Sequence, residues 1–220
     1  MAKRIRMAMG AVLGAMFVAL PAFGQPAAAP AQVDLTARLK QVEGNAQQWD
    51  AMYKAGKKVA AFCANCHGDG GNSIKPDVPN LAGQNAYYLL SQLRDFSTTQ
   101  RKSNEFKKRL VNVMSPDEKI GMVVFYAGQE VTFKPPSDAA LTRKGGELYA
   151  KRCASCHEQD GRGTKQFSRI AGQQPVYLTT SLKGFRDGSG IRTDREMAAE
   201  IKSMSDADIA AVVAFVSSMK

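Results

Sequence analysis

Two short motifs hold every cysteine and every histidine of the chain. The first comprises Cys63, Cys66 and His67, and the second comprises Cys153, Cys156 and His157. The two cysteines of each motif lie three positions apart, so on a helical turn both sulfur atoms face the same side. Two thiols on one side can add to the two vinyl groups of one porphyrin, and the histidine that follows then projects towards its iron. The spacing predicts two covalently bound haem c groups.

Other uses of four cysteines compete with this interpretation. Two Cys-x-x-Cys pairs can share one zinc ion, and the cysteines of an exported chain can form disulfides. In both motifs, however, a histidine follows at once, and the motifs are 90 residues apart. The two pairs of a zinc ribbon lie closer, roughly 15 to 20 residues apart. Haem attachment is therefore the favoured interpretation.

The spacing of 90 residues belongs to a longer internal repeat. Leu81 to Gln84 matches Ile170 to Gln173 at an offset of 89, and Met114-Ser115 matches Met204-Ser205 at an offset of 90. A repeat of this length indicates two copies of one domain.

Both copies have apolar residues at helical spacing and no competing strand pattern, which predicts an all-α fold of two tandem domains. A linker-like stretch with Pro135-Pro136 places their boundary near residue 134, so we predict domains over 25–134 and 135–220. Ser115 to Glu118 is a capping box at a helix start, and Ser205 begins the equivalent helix. An amphipathic stretch over 31–53 precedes the first copy and has no counterpart in the second.

The N-terminus has the order of a secretory signal. Three cations precede an uncharged stretch over 7–24, which ends in a small-x-small sequence before Gln25. We predict a cleaved signal peptide over 1–24 and a periplasmic mature protein. A retained membrane anchor is the alternative, although Gly10, Gly14 and Pro21 make a poor permanent helix.

Composition and charge limit the class of partner. The 220 residues are 44% hydrophobic and 23% charged, which is typical of a soluble globular protein. Lys and Arg number 30 against 20 acids, a formal charge of +10 that falls to +7 when the signal is removed. This charge favours an acidic partner surface or association with a membrane surface. Nucleic acid is the weakest hypothesis, because the basic residues are scattered and the chain is exported.

From about Lys54 to Lys220 the sequence resembles the dihaem class I cytochromes c, and most closely the cytochrome c4 type. The resemblance rests on the doubled Cys-x-x-Cys-His motif, the doubled Ala-Gly-Gln stretch followed by Tyr-Leu, and the closing Met-Ser helices. It implies two cytochrome c domains that face each other, with both haem edges near their interface. It also implies a carrier that passes electrons to a terminal oxidase or another membrane respiratory complex, without catalytic residues of its own.

The resemblance implies a methionine as the distal iron ligand of each haem. In the second copy Met197 stands at that position, and we prefer it to Met204, which is expected in the core. In the first copy no methionine stands there. Counting from Ser115 gives Lys107, whereas helical spacing slightly favours Phe106. The first haem is therefore ligated by Lys107 or a nearby lysine, by Met114 after a loop shift, or is open on its distal side.

The proximal side differs between the copies as well. The resemblance implies that a backbone carbonyl accepts a hydrogen bond from each proximal histidine, at Pro79 in the first copy and at Ser168 in the second. Two functions besides electron transport remain open. A first haem that is open or ligated by lysine could make the protein a redox enzyme, or the chain could be the haem subunit of a larger periplasmic oxidoreductase.

Overall fold

The computed structural model describes residues 33–98, 105–136 and 138–220, and the predicted signal peptide lies outside them. Ten α-helices account for most of these residues: α1 Leu35–Glu43, α2 Ala46–His67, α3 Ala86–Ser97, α4 Glu105–Val113, α5 Pro116–Ala127, α6 Ala139–Arg152, α7 Ala154–His157, α8 Pro175–Asp187, α9 Arg195–Ile201 and α10 Asp206–Ser218. No β-strand occurs in the described part of the chain, as the sequence predicts. None of its helices is both long and apolar enough to span a membrane.

The helices form two similar halves, which we call the first half (33–136) and the second half (138–220). In each half the helix that carries the cysteine motif crosses the last helix, so α2 packs on α5 and α6 packs on α10. Glycines permit both close crossings, because a Cβ atom at Gly56 would lie 1.8 Å from the Gly121 carbonyl oxygen and one at Gly145 would lie 2.0 Å from that of Ala211. Each half has its own apolar core.

Helix starts follow the predicted capping chemistry. Ser115 and Glu118 form a capping box at the start of α5, with Pro116 at the first helical position. Ser205 and Asp208 form the equivalent box at α10. These caps satisfy backbone N–H groups that have no partner within the helix, which fixes where each final helix begins.

The predicted amphipathic stretch over 31–53 is two helices rather than one. Helix α1 ends before Gly44, and Asn45 caps α2 by accepting a hydrogen bond from the Gln48 N–H at 3.0 Å. Leu39 and Val42 of α1 are fully buried in the core of the first half. The added helix therefore enlarges that core, and the second half has no such element among its described residues.

The two Ala-Gly-Gln loops meet where the halves touch. Gly83 and Gly172 have positive φ angles of 63° and 70°, and Val131 of the connecting segment packs between them. Asn72 fixes that segment, because its amide donates to the Glu130 carbonyl and accepts from the Thr132 N–H, both at 2.8 Å. The connecting segment around Val131 is therefore fixed in position where the two halves touch.

Candidate haem site

The first motif lies in the last turns of α2 and the second at the junction of α6 and α7. Helix α2 runs through Cys63 and Cys66 to His67 without a break, whereas α6 ends at Arg152 and a new short helix carries Cys156 and His157. The His157 N–H still donates to the Cys153 carbonyl at 2.9 Å, so the second motif keeps a helical turn. In both halves the histidine therefore follows cysteines that lie one turn apart.

Each histidine is held by a backbone carbonyl, at the two residues that the family resemblance implies. His67 Nδ1 lies 2.9 Å from the Pro79 oxygen, and His157 Nδ1 lies 2.8 Å from the Ser168 oxygen. A carbonyl oxygen can only accept, so Nδ1 carries a proton, and in the neutral ring Nε2 is left with its lone pair. Burial lowers the pKa of His157, although its bond to Ser168 acts in the opposite direction. The arrangement presents a neutral imidazole whose Nε2 can bind a metal.

The cysteines are thiols, and none of the four takes part in a disulfide. Burial raises the pKa of the Cys63 thiol and raises that of Cys153 to about 11. Within the described residues no three His, Cys, Asp or Glu side chains gather as a shared zinc ion would require. The geometry thus places the two motifs apart, with each sulfur pair beside its own histidine.

One cavity of about 670 Å³ opens onto both motifs. Most other side chains in its lining are apolar and come from equivalent helices, such as Leu89 and Phe96 of α3 and Leu178 and Phe185 of α8. A porphyrin is a flat, largely apolar ring with two propionates at one edge. An apolar cavity of this size, with thiols and a neutral imidazole at its wall, suits such a ring.

Two arginines contribute positive charge to the same cavity. Arg169 is 9% exposed, and its buried Nε has no hydrogen-bond partner. Arg192 donates to the hydroxyl groups of Tyr88 and Tyr177, one from each half. No carboxylate of the described residues lies within 4.0 Å of either guanidinium. A buried guanidinium without a carboxylate partner is costly, so an anionic group such as a haem propionate fits here.

The methionines named above line the cavity in the second half. Met197 lies in the first turn of α9, where its N–H donates to the capping Asp194 carboxylate at 3.0 Å. Met204 also reaches the lining, but it is 5% exposed and belongs to the core, as expected from the sequence. Met197 is partly buried and packs against the edge of that core.

The structure aligns Lys107, rather than Phe106, with Met197. The last helices of the two halves, α5 and α10, begin 90 residues apart, at Pro116 and Asp206. With that offset the exposed and buried positions of 105–113 and 195–203 follow nearly the same order. Lys107 lines the cavity with its Nζ 5.7 Å from the ring centroid of Phe96. Phe106 is 61% exposed and stacks on Phe62. The alignment with Phe106, which helical spacing slightly favoured, is thus one residue off. The offset between equivalent residues of the two halves is 89 in α3 and α8 but 90 from α4 and α9 onwards.

Met114 occupies the position equivalent to Met204, not to Met197. It is partly buried against the core of the first half and reaches the cavity wall. Met122 of α5 also lines the cavity, and its sulfur lies 4.0 Å from that of Cys63. Sequence reasoning did not single out Met122, since an apolar position in a helix that packs on α2 carries no distinguishing signal.

These features define a class of protein: two tandem all-α domains, each with a thiol pair and a neutral histidine on an apolar cavity that fits haem. The sequence profile of the cytochrome c family matches residues 53–120 and 142–220. The chain belongs to the cytochrome c family.

Relatives narrow the class further. Cytochrome c4 of Pseudomonas aeruginosa is 31% identical over 176 residues, which cover 74% of this chain and 86% of that protein. The crystal structure of reduced cytochrome c4 from Pseudomonas stutzeri has a TM-score of 0.68 at 28% identity, covering 76% of this chain and 98% of that chain. A thiosulfate dehydrogenase electron acceptor of Thiomonas intermedia is 28% identical over 63% of this chain and 69% of that protein.

The comparisons confirm the fold class predicted from the sequence, two tandem cytochrome c domains. They also identify the chain as a cytochrome c4-like electron carrier. Haem c, bound through thioether bonds to the cysteines and through the histidine to iron, supplies the one-electron chemistry of this family.

Proposed function

We propose that the chain is a periplasmic dihaem cytochrome that carries electrons between respiratory partners, towards a terminal oxidase. The observation that supports this most strongly is the single cavity onto which both cysteine motifs and both carbonyl-bound histidines open. Haems attached at both motifs would border the same cavity, which favours electron exchange between them without a third cofactor. Cleavage of residues 1–24 and a boundary near residue 134 belong to the same proposal.

The partner we propose is a redox protein with an acidic docking surface, at or near the membrane. The formal charge of the chain supports an acidic partner, because opposite charges steer association. Similarity to a thiosulfate dehydrogenase electron acceptor adds a periplasmic dehydrogenase as a candidate donor.

The test is reoxidation of the reduced protein by an oxidase-containing membrane fraction, followed in the α-band by stopped flow. We expect a second-order rate that falls as ionic strength rises, since salt screens the attraction. Pyridine haemochrome analysis of the same protein should give two haems per chain, and one in a Cys153→Ala/Cys156→Ala variant. A single haem in the unmodified protein, or reoxidation no faster than by dioxygen alone, would contradict the proposal.

We further propose His157 and Met197 as the ligands of the second iron, and His67 and Lys107 as those of the first. The equivalent places of Met197 and Lys107 in α9 and α4 support this pairing, and Met114 is disfavoured because it aligns with the core residue Met204. Met197→Ala should lower one midpoint potential by roughly 100 mV or more, within the range of about 0.8 V that axial ligands span. Lys107→Met should raise the other, and Lys108→Met is the matched control that should change neither.

A redox enzyme, alone or as the haem subunit of a periplasmic oxidoreductase, is the second candidate. The absence of a methionine at the position of Lys107 favours it, because a hard amine binds ferrous iron less tightly than a soft thioether and gives way more readily to an external ligand in the reduced protein. Reduced protein should bind carbon monoxide at one haem at most. Binding at both haems would contradict the Met197 assignment, and binding at neither would remove the support for this candidate.

A further inference from the structure

Each half of the molecule holds the proximal loop of the other half through a glutamine. Gln84 of the first half accepts from the Arg169 N–H at 2.7 Å and donates to the Arg169 carbonyl at 2.9 Å. Gln173 of the second half accepts from the Asn80 N–H at 2.7 Å and donates to the Asn80 carbonyl at 3.1 Å. The two glutamines are 6% and 7% exposed. Each half therefore holds a loop of the other through two hydrogen bonds that are shielded from water.

The N–H groups that the glutamines bind belong to the peptide units that hold the histidines. The Ser168–Arg169 peptide accepts from His157 through its oxygen and donates to Gln84 through its nitrogen. A continuous chain of hydrogen bonds thus connects His157 to a side chain of the opposite half. The Pro79–Asn80 peptide connects His67 to Gln173 in the same way.

We propose that Gln84 tunes the potential of the second haem and Gln173 that of the first, each as a positioning residue across the interface. An acceptor on a peptide N–H polarises that peptide, and its carbonyl oxygen becomes a stronger acceptor. A stronger acceptor draws the Nδ1 proton and raises the basicity of Nε2. A more basic Nε2 stabilises ferric iron, so both glutamines lower the potential of the haem opposite. The inference rests on the proposed dihaem function.

The two peptide units that hold the histidines differ in how many other hydrogen bonds fix their loops. In the first half the Asn80 side chain adds bonds to the Ser73 N–H and the Gly172 carbonyl, both at 2.9 Å. The equivalent residue in the second half, Arg169, adds no side-chain hydrogen bond to its loop from Nε. The Ser168–Arg169 peptide therefore depends more on its glutamine, and the second haem should respond more strongly than the first.

The experiment is a spectroelectrochemical titration of the holoprotein with near-isosteric substitutions. Gln84→Met removes the acceptor and should raise the potential of the second haem, and Gln173→Met should raise that of the first by a smaller amount. Gln84→Glu keeps an oxygen acceptor for the Arg169 N–H, so it should leave the potential unchanged or lower it. Gln47→Met, at an exposed position of α2 outside the cavity lining, is the matched control. Met197→Ala and Lys107→Met identify the two haems.

Three results would overturn the inference. One is an unchanged second-haem potential in Gln84→Met protein, and another is a larger shift of the first haem than of the second in that variant. The third is an upward shift in Gln84→Glu equal to that in Gln84→Met, since a merely loosened interface would move both variants alike. Haem content measured on the same samples separates these results from failure of the proposed function, which a stoichiometry below two would show.

Discussion

The two halves of the molecule share one proximal design and differ on the distal side. Both present a thiol pair and a histidine held through Nδ1 by a backbone carbonyl. Met197 of the second half and Lys107 of the first occupy equivalent positions on α9 and α4, and they are the distal ligands that we propose. Attachment of a haem needs the proximal set alone, whereas its potential depends on the distal ligand. The repeat thus preserves the groups that attach the cofactor, and the proposed distal ligands are where the two halves differ most.

The largest effect should come from the helix crossings, which the halves share. A Cβ atom at Gly56 or Gly145 would meet a backbone carbonyl at 1.8 or 2.0 Å, and backbone cannot move aside cheaply. We expect Gly56→Ala and Gly145→Ala each to cost about 3 kcal/mol or more in the free energy of unfolding. Denaturant unfolding followed by circular dichroism measures this.

Gly121 supplies the control for that comparison. The equivalent position in the second half is already an alanine, Ala211. A Cβ atom added at Gly121 would lie 3.1 Å from its nearest neighbours, the Gly56 nitrogen and the Met52 oxygen. Gly121→Ala should stay within about 1 kcal/mol of the unmodified protein, because better helix propensity offsets the tight contact. If Gly121→Ala were as damaging as Gly56→Ala, the two crossings would differ in geometry.

A smaller effect should distinguish the loops at the interface. Asn80→Ala leaves the Ser73 N–H and the Gly172 carbonyl without their partner in a buried place. We expect it to cost about 2 kcal/mol or more in the free energy of unfolding, measured by denaturant titration. Asn85→Ala removes a bond to the Arg162 carbonyl that is exposed to water and should cost under about 1 kcal/mol. Equal costs would mean that burial does not distinguish the two asparagines.

The residue after each histidine sharpens the comparison further. Glu158 has φ 65° and ψ 163°, a conformation that glycine adopts readily, and its counterpart is Gly68 with φ 78° and ψ 162°. Glu158→Gly should therefore stabilise the protein by about 1 kcal/mol, measured as a higher denaturation midpoint. Gly68→Ala should act in the opposite direction, because its Cβ atom would lie 2.0 Å from the Asn72 oxygen. Loss of stability in Glu158→Gly would show that the second half tolerates this conformation without strain.

Residue types and spacing in the sequence were sufficient for the all-α class, the capping box at Ser115 and the helix start at Ser205, and the family resemblance supplied the carbonyls at Pro79 and Ser168. All of these depend on neighbours within one repeat. The sequence left Lys107 and Phe106 as alternatives for the position of Met197, because the one-residue change in offset falls between helices and leaves no marker. It could not assign a role to Gln84 and Gln173 either. Their partners lie 85 and 93 residues away in the chain, and the exchange exists only once the halves have met.

The smallest expected effect is the dependence of stability on acidic pH, which differs between the two capping boxes. Lys144, at 2.8 Å, and then Ser205 lower the pKa of Asp208 from its ordinary 3.8 to about 2, whereas Glu118 has only Ser115 to lower its pKa. Because the folded-state pKa of Asp208 is depressed, its contribution is complete above pH 3.8 and is lost as the pH falls through about 2.

A carboxylate titration by NMR on the holoprotein tests this difference. We expect Asp208 to titrate near pH 2, and Lys144→Met to move its pKa back towards 3.8, because the first-named partner is then gone. The Glu118 carboxylate is the internal control, since no lysine faces it within 4.0 Å and Lys144→Met leaves its surroundings intact. An Asp208 that titrates at its ordinary value in unmodified protein would mean that water screens the Lys144 pair at this exposed helix end, and the two boxes would then respond to acid alike.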